Sequence, residues 1–367
     1  MKITIKKEIL ENVVDFLGTY INSTDTFLAF RYIHLEVTHE KLVFTVSSST
    51  MSARKTINVD EVNVRVEEEG KVLLNNKVLK NIIRNLSDDI TLAKKSNIIN
   101  ITEGKTKYNL NTISDNFPII DFNESENRFQ MKKNDFDEAI KNVGFAVADS
   151  KSNSSILKAI NMFANSNEIR FCGTDSFRLS TFTVKISKEM NFDISVDARN
   201  LKSMMIKDNT IKNIYIFFNM NKFGVATEDT IIQSSLVDIP YHDIKRIFPT
   251  EITRNIVIQK SVLLDLINKT IFDFDKDGSK IELKFTKKLL TASYEETEVG
   301  HSQASTEDFT LNGNPIELTF NSRFLKEAIS VLDDELNIGV NLMENIVLLL
   351  SKKNPNNKQL ITTIRRL

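Results

Sequence analysis

The chain has no tryptophan, a single cysteine, and only 10 glycines and 5 prolines among 367 residues. With Cys172 alone, an intramolecular disulfide is impossible and a metal site built from cysteines is disfavoured. No stretch approaches the roughly 18 consecutive apolar residues that a membrane span needs, and the amino terminus carries no apolar signal core. We therefore expect a cytoplasmic protein without membrane contact, whose stability comes from packing.

An excess of charge of one sign is also missing. The sequence has 48 Lys and Arg against 49 Asp and Glu, a formal net charge of −1. This balance disfavours wrapping of nucleic acid by bulk electrostatics, although a local basic surface is compatible with it. Apolar residues make up 41% and charged residues 26%, the composition of a globular protein. The length suits two or three domains.

Motifs for catalysis and cofactor binding are lacking as well. The four histidines are scattered without triad or zinc spacing, and neither a Walker loop nor a GxGxxG stretch occurs. Asp273–Lys284 imitates the start of a calcium loop, but Lys284 stands where the closing glutamate is required. We expect no enzyme activity, no metal and no cofactor.

What the sequence does contain is a pattern repeated three times. Each copy runs from a short strand-like stretch into a helix-like one, and the copies are Lys71–Ile83, Phe192–Met205 and Ile316–Ile329. Each predicted helix follows a residue whose side chain can cap its first turn, namely Asn75, Asp197 or Asn321. Such a period is the signature of tandem repeats and precedes any assignment of single elements.

A second triplet has the same period. Alternating strands end at Lys7, Lys133 and Lys260, which are 126 and 127 residues apart and lead into amphipathic helices. The spacing predicts three domains, residues 1–125, 126–250 and 251–367. Alternating stretches such as Lys41–Val46 and Lys280–Phe285 predict half-buried antiparallel sheet. The predicted class is α+β, with three tandem copies of a strand-rich domain that has two helices.

The second helix of each copy carries a row of cations. Residues three apart share a helix face, which groups Lys77/Lys80/Arg84, Arg199/Lys202 and Arg323/Lys326 into one basic stripe per repeat. A solvated helix face is the alternative for any single helix. Recurrence in all three copies favours a contact with the phosphate backbone of nucleic acid, which needs no base readout.

The stretch CGTDSFRLS, Cys172–Ser180, occurs only in the second repeat. Cys172 is interpreted as a small core hydrophobe within an apolar strand. Asp175 is expected to shape the turn. The corresponding stretches TVSSSTMSARKTI and ASYEETEVGHSQA keep a strand and a turn but not this chemistry. The difference indicates a task specific to the second repeat, namely the binding of a partner.

Together these features resemble a known family. TDSFRLS, Thr174–Ser180, is similar to the motif Thr-Asp-Gly-His-Arg-Leu-Ala of the bacterial β sliding clamps, the processivity subunits of DNA polymerase III. Further similar segments are YHDIKRIFP at Tyr241–Pro249, FNSRFLKEAI at Phe320–Ile329, and an Arg-Leu end after an apolar strand. The resemblance covers essentially the full length.

The resemblance implies the DNA clamp fold, with two three-domain subunits joined head to tail into a six-domain ring around duplex DNA. Such a clamp hydrolyses nothing and tethers a polymerase by topology, while an ATP-driven clamp loader opens the ring. The implied partners are double-stranded DNA without sequence preference, the catalytic subunit of DNA polymerase III, the clamp loader, other proteins with a clamp-binding motif, and a second copy of the chain.

The resemblance also implies three sets of site residues. The DNA-facing set is Lys77, Lys80, Arg84, Lys151, Arg199, Lys202, Lys207, Arg323 and Lys326. The dimer interface is Tyr108 and Leu110 of one subunit with Phe272 or Phe274 of the other. A pocket for a short peptide with a glutamine and apolar anchors has a wall made of Leu157, Thr174, Phe177, Arg178, Leu179, Arg246, Ile247, Ile361, Thr363, Ile364 and Arg365.

The pocket residues depart from the family pattern at several positions. Ser176-Phe177 replaces Gly-His, His242 stands where proline is usual, and ITTIRRL lacks the usual proline before its arginine. The location of the pocket is expected to be retained, and its peptide preference is expected to differ.

Two other classes of function remain open at this stage. A triplicated scaffold that displays peptide-binding surfaces without encircling DNA would keep the repeats but leave the basic stripes without a task. An enzyme would need a catalytic constellation, which the sequence lacks. The basic stripes therefore favour the clamp.

Overall fold

The computed structural model describes residues 1–114, 116–124, 127–272, 279–296 and 298–365. The first part of the calcium-like stretch, the predicted interface residue Phe274, and the Arg-Leu end lie outside these residues. The chain divides into two compact units, unit 1 with Met1–Lys133 and Arg199–Leu236, and unit 2 with Asn134–Ala198 and Val237–Leu367.

The described residues form six α-helices, two for each sequence repeat, as predicted. They are α1 (Lys7–Gly18), α2 (Asn76–Arg84), α3 (Lys133–Val143), α4 (Ala198–Ser203), α5 (Lys260–Thr270) and α6 (Ser322–Ser330). None of them is long and apolar enough to cross a membrane.

The same residues form 24 β-strands. The first ten are β1 (Lys2–Ile5), β2 (Tyr32–Val37), β3 (Lys41–Ser47), β4 (Met51–Asn58), β5 (Val64–Glu68), β6 (Gly70–Asn75), β7 (Ile90–Lys95), β8 (Ile98–Glu103), β9 (Thr106–Asn111) and β10 (Asn127–Lys132). The next five are β11 (Ala159–Thr174), β12 (Arg178–Asp197), β13 (Asn213–Phe218), β14 (Lys222–Ala226) and β15 (Thr230–Ser235). The last nine are β16 (Ile252–Gln259), β17 (Lys280–Phe285), β18 (Leu290–Glu296), β19 (Gly300–Thr306), β20 (Phe309–Asn312), β21 (Ile316–Asn321), β22 (Glu335–Asn341), β23 (Ile346–Ser351) and β24 (Asn357–Thr362).

The helix starts follow the two sequence triplets. Lys7, Lys133 and Lys260 are the first residues of α1, α3 and α5. The Asn75 side chain accepts a hydrogen bond from Val78 N (3.1 Å) at the start of α2. Asn321 accepts from the N–H groups of the second and third residues of α6. These caps satisfy donors that have no partner inside the helix, which explains why both helices begin where the sequence predicts.

Unit 1 contains a five-stranded sheet, in the order β5-β1-β7-β8-β9, and an eight-stranded sheet, in the order β10-β13-β14-β15-β4-β3-β2-β6. The eight-stranded sheet takes strands from two sequence repeats. They meet where β4 pairs antiparallel with β15, with Lys55 opposite Thr230. A salt bridge from Lys55 Nζ to the Asp229 carboxylate (2.6 Å) lies beside this pairing.

Unit 2 repeats this arrangement with a four-stranded sheet, in the order β19-β18-β17-β21, and a seven-stranded sheet, in the order β11-β12-β24-β23-β22-β16-β20. The seven-stranded sheet also joins two repeats, where β12 pairs antiparallel with β24 from Arg178 opposite Ile361 to Phe182 opposite Asn357. The hydrophobic core of unit 2 includes Ile256, Leu263 and Phe320, all at most 2% exposed.

The predicted α+β class is confirmed, since each repeat has two helices and contributes its strands to antiparallel sheets. The two compact units do not follow the repeats, because both large sheets continue across a repeat junction. The boundaries 1–125, 126–250 and 251–367 therefore remain a prediction from the sequence.

Candidate peptide-docking site

The distinctive turn of the second repeat joins β11 to β12 in unit 2. Asp175 Oδ1 accepts hydrogen bonds from the N–H groups of Phe177 (2.9 Å) and Arg178 (3.0 Å), as its predicted turn role requires. Ser176 has a φ of 79°, in the left-handed region that favours glycine, and donates its N–H to Thr174 Oγ1 (3.2 Å). The tight turn leaves the Phe177 ring 63% exposed at its tip.

Arg178 is buried just behind this tip, with only 6% of its surface exposed. Its guanidinium donates to the carboxylates of Asp175 (3.0 Å) and Glu327 and to Phe145 O (2.5 Å). It lies over the ring of Phe324, 4.1 Å from the centroid. The polar contact of Arg178 with a bound peptide, which the family resemblance implies, stays a prediction. In the structure this cation is directed at groups of its own chain, where it supports the turn from behind.

A buried polar network continues from the turn along the strand junction. Ser180 Oγ donates to Asn142 O (2.6 Å), and Asn357 Nδ2 donates to Asn142 Oδ1 (2.8 Å). Gln359 Nε2 donates to Asn357 Oδ1 (2.6 Å). All four residues are at most 6% exposed. Because buried polar groups are costly unless paired, this network fixes how α3, β12 and β24 meet.

A cluster of apolar side chains forms the floor of the predicted pocket. Cys172, Leu179, Ile244 and Leu360 are buried together, and Tyr241, Phe248 and Ile346 pack against them. Leu179 and Leu360 face each other in the β12–β24 pairing. The cluster therefore joins the second-repeat turn, the YHDIKRIFP segment and the carboxyl-terminal strand, the three places that the sequence pointed to.

The predicted wall residues fall into a buried group and a more accessible group. Thr174, Arg178, Leu179 and Ile361 are buried at 7% or less. The more accessible members are the exposed Phe177, Arg246, Ile247 and Arg365 and the half-buried Leu157, Thr363 and Ile364. The accessible set combines apolar side chains with cations, which suits a peptide with apolar anchors and polar groups between them.

The end of β24 and the tail that follows it are held by hydrogen bonds to three other segments of unit 2. Thr362 N and Oγ1 both donate to Phe177 O (3.0 and 2.9 Å). Thr363 N donates to Asn345 O (3.1 Å), and Ile364 N donates to Thr319 O (2.8 Å). Proline, the residue usual in this part of the family pattern, has no N–H to donate. Because the tail of this chain lacks that proline, an additional main-chain N–H is available to donate a hydrogen bond that holds the tail.

Most of the predicted DNA-facing residues lie on α2, α4 and α6, whereas Lys151 and Lys207 lie in loops. In unit 1, Lys77, Arg84, Arg199, Lys202 and Lys207 are exposed, and Lys80 is half-buried with a salt bridge to Asp15 of α1 (2.5 Å). In unit 2, Lys151 and Arg323 are exposed and Lys326 is half-buried. No group of three or more His, Cys, Asp or Glu among the described residues could hold a metal.

The predicted dimer residues lie beside sheet edges. Tyr108 and Leu110 belong to β9, which ends the five-stranded sheet of unit 1. Phe272 follows α5 in unit 2, is 42% exposed and packs edge-to-face on Tyr294 with ring centroids 4.9 Å apart. The end strand β19 is held near this point, since Ser302 Oγ donates to Thr270 O. An edge strand has main-chain groups available for pairing with another chain.

Comparison with known proteins identifies the family. Models of the N-terminal, central and C-terminal domains of the DNA polymerase III beta subunit match residues 1–121, 130–243 and 245–365. Proteins called beta sliding clamp are 26% identical in Mycoplasmopsis pulmonis, covering all of both chains, and 25% identical in Mycoplasma capricolum, covering 83% of this chain and 82% of the relative.

Solved structures agree with these matches at the level of the fold. The DNA polymerase sliding clamp of Bacillus subtilis superposes with a TM-score of 0.94 at 20% identity, and the beta subunit of Streptococcus pyogenes with 0.92 at 20% identity. Both comparisons cover all of both chains.

The chain belongs to the DNA polymerase III beta subunit family of bacterial processivity factors. Its function is that of a DNA sliding clamp in DNA replication, and it is a non-catalytic subunit.

Some residues that build the site were not found from the sequence. Glu327 lies 149 residues from Arg178. Asn142 lies in α3 and Phe145 just after it, and the pattern that predicted this helix did not mark either residue as part of the site. The segment FNSRFLKEAI contains Phe324 and Glu327, so the family resemblance marked the right helix without indicating their role.

We expect Arg178→Met to lower the free energy of unfolding by about 3 kcal/mol, because it leaves Phe145 O and the Asp175 carboxylate, whose side chain is only 10% exposed, without their cationic donor. Urea unfolding followed by circular dichroism measures the change. Arg246→Met is the matched control, since the Arg246 side chain is 91% exposed. Equal stability of the two variants would contradict a supporting role for Arg178.

Burial raises the pKa of the Cys172 thiol to about 12, and its Sγ donates to Tyr241 Oη (3.8 Å). We expect labelling by a thiol-specific disulfide reagent at pH 8 to be roughly a thousandfold slower in the folded protein than in denaturant, since the thiolate is the reactive form. Comparable labelling rates in both states would show that the thiol is accessible.

The raised pKa of the Cys172 thiol also affects the free energy of unfolding. That free energy keeps the thiol's contribution below the ordinary thiol pKa and declines as pH rises above it.

Proposed function

We propose that two copies of this chain close head to tail into a ring around duplex DNA and hold the replicative polymerase there through the pocket of unit 2. The observation that carries the proposal is the threefold repeat, matched along the chain by three successive clamp-domain models. In this proposal the domains are residues 1–125, 126–250 and 251–367, two copies of which supply the six domains of the ring.

The sheet edges support the head-to-tail arrangement. In the proposed contact, β9 of one subunit, with Tyr108 and Leu110, meets the region of β19 and Phe272 of the other. The two surfaces differ, and a heterologous contact of this kind closes into a ring when the rotation between subunits allows it. Exposed Phe272 would be covered by the contact, which supports an interface at this place.

The basic residues of α2, α4 and α6 support sequence-independent binding of DNA. Long cationic side chains that contact phosphates read no bases, so they permit movement along the duplex. In the proposed ring, Lys77, Arg84 and Lys151 face the DNA together with the other cations predicted from the sequence. The working compartment would be the cytoplasm, where the chromosome of a bacterium is replicated.

The partner site is proposed to be the apolar surface around Phe177 and Ile247, above the cluster of Cys172, Leu179, Ile244 and Leu360. A preformed apolar pocket with a few polar groups is the usual setting for a short linear peptide. The proposed occupants are a peptide of the DNA polymerase III catalytic subunit, the clamp loader and other proteins with a clamp-binding motif, which would use the same surface in turn.

We expect the protein, once loaded, to stay on nicked circular DNA at high salt and to leave after the circle is linearised, because topology rather than counterion release retains it. Gel filtration of the DNA complex measures retention. Tyr108→Lys, placed in the proposed dimer contact, should abolish retention on circles and shift the free protein toward monomer mass. Loss from circular and linear DNA alike as salt rises would favour the scaffold that does not encircle DNA.

For the pocket, we expect Phe177→Ala with Ile247→Ser to weaken binding of the peptide Gln-Leu-Ser-Leu-Phe at least tenfold, since each change removes apolar area from the contact. Fluorescence anisotropy of a labelled peptide measures affinity. Val299→Ser, at an apolar residue that is 69% exposed in the turn between β18 and β19 of unit 2, is the control and should leave the affinity unchanged. Unchanged affinity of the double variant would place the peptide elsewhere.

A further inference from the structure

Unit 1 has a recess on one face of its eight-stranded sheet, which we call the unit 1 recess. Side chains of β2, β3, β4 and β6 form its floor, and residues 117–120 with Phe122, between β9 and β10, form its roof. The recess encloses about 220 Å³. An apolar cavity of about 150 Å³ accommodates a benzene molecule, so the unit 1 recess has room for one ring with a small polar group.

The roof is held against the sheet at both of its ends. The Phe117 ring stacks on His34 of β2, with ring centroids 4.9 Å apart and an interplanar angle of 7°. Phe122 is 6% exposed, and the guanidinium of Arg54 on β4 lies 4.7 Å from the centroid of its ring. A ligand that binds here therefore meets an ordered surface, and little ordering entropy opposes binding.

Arg54 brings hydrogen-bond donors to the recess that have no acceptor in the described part of the chain. A guanidinium has five N–H donors and stays charged at neutral pH. Among the described residues, none accepts a hydrogen bond from Arg54, whose contact is with the face of the Phe122 ring. Burial lowers the pKa of Arg54, and the nearby Glu124 carboxylate offsets this effect only in part. An anion in the recess would accept from these donors and oppose the cost of burial.

Thr45 places a hydroxyl beside this guanidinium. It lies directly opposite Arg54 in the pairing of β3 with β4 and lines the same recess. Thr45 is 8% exposed, and its hydroxyl forms no hydrogen bond with another described residue. Buried hydroxyl groups are usually paired, so this one is a candidate contact for a ligand. The guanidinium and the hydroxyl can together bind the two oxygens of one carboxylate.

The other charges that line the recess are balanced within the chain. Glu36 and Lys71 lie opposite each other in the pairing of β2 with β6 and form a salt bridge, so this pair adds no net charge. No salt bridge joins Arg54 to a carboxylate of the described residues. Val43 and Phe122 supply apolar surface. One cation beside apolar surface suits a ligand with one negative charge and an apolar body.

We propose that the unit 1 recess binds a small monocarboxylate whose apolar body is about the size of one ring. Arg54 binds the carboxylate through its guanidinium, Thr45 donates its hydroxyl to the same group, and the apolar body lies between Val43 and the rings of Phe117 and Phe122. The proposal is independent of ring closure and of peptide docking, because no residue of unit 2 takes part.

The experiment measures binding of para-fluorobenzoate to the full-length protein by fluorine NMR. We expect a Kd of about 1 mM or lower for the unaltered protein, as the efficiency of small ligands allows. Arg54→Met should weaken binding about tenfold, since it removes charge-assisted hydrogen bonds, and Thr45→Val about fivefold, since it removes a neutral one. Arg65→Met, at an arginine of unit 1 whose side chain is 52% exposed outside the recess, is the matched control and should leave the Kd unchanged.

Two further comparisons test the chemistry of the ligand and the place where it binds. The neutral amide para-fluorobenzamide should bind about tenfold more weakly than the acid, because it lacks the charge that Arg54 recognises. Inorganic phosphate at equal concentration should not displace para-fluorobenzoate. The double variant Phe177→Ala with Ile247→Ser should bind the acid with an unchanged Kd, which separates the recess from the pocket of unit 2.

Several results would overturn the proposal. It is wrong if para-fluorobenzoate does not bind the unaltered protein, if it binds both recess variants as tightly, or if the double variant in unit 2 loses binding. Equal binding of the amide, or displacement by phosphate, would overturn the monocarboxylate assignment. Arg54→Met should melt at the temperature of the unaltered protein, because no internal hydrogen bond is lost. If that variant does not fold, the result for Thr45→Val decides.

Discussion

The pairing of β12 with β24 is the contact on which the proposed docking site depends. It brings Leu179 of the second repeat beside Leu360 of the third, and so creates the apolar floor on which exposed side chains can form a pocket. Main-chain hydrogen bonds alone would tolerate a slip along the strands, which would turn every side chain to the opposite face. The network of Asn142, Asn357 and Gln359 opposes such a slip, because a shift would leave several buried polar groups without partners.

Arg178 extends this control from the strands to the turn. The cation is held by groups from three places in unit 2, namely the turn itself, the segment just after α3, and the helix α6. The cost of removing such a charge from water is offset only while all of these partners are in place. The arrangement therefore ties the position of Phe177 to correct assembly of the second and third repeats. Arg178 thus supports the turn that carries Phe177, and its predicted contact with a bound peptide stays a prediction.

The sequence predicted the repeating parts of the fold well because their causes are local. Lys7, Lys133 and Lys260 begin helices where alternating strands end, and Asn75 and Asn321 cap helices with their own side chains. Strand limits such as Lys280–Phe285 follow from alternation alone. Contacts between distant segments could not be predicted in this way. Neither the partnership of Arg178 with Glu327 nor the continuation of the sheets from one repeat into the next leaves a local signal, because each depends on how separate segments pack.

The buried Cys172 has a practical consequence for experiments on this molecule. Because its thiol is enclosed by Tyr241 and Leu179 and the chain has no other cysteine, a cysteine introduced at an exposed position would be the sole site that reacts under native conditions. The absence of tryptophan extends the same advantage to intrinsic fluorescence, since one engineered indole would report alone. Paired dyes or spin labels could therefore be attached without first removing any native residue, which makes the chain well suited to distance measurements during the loading and release of DNA.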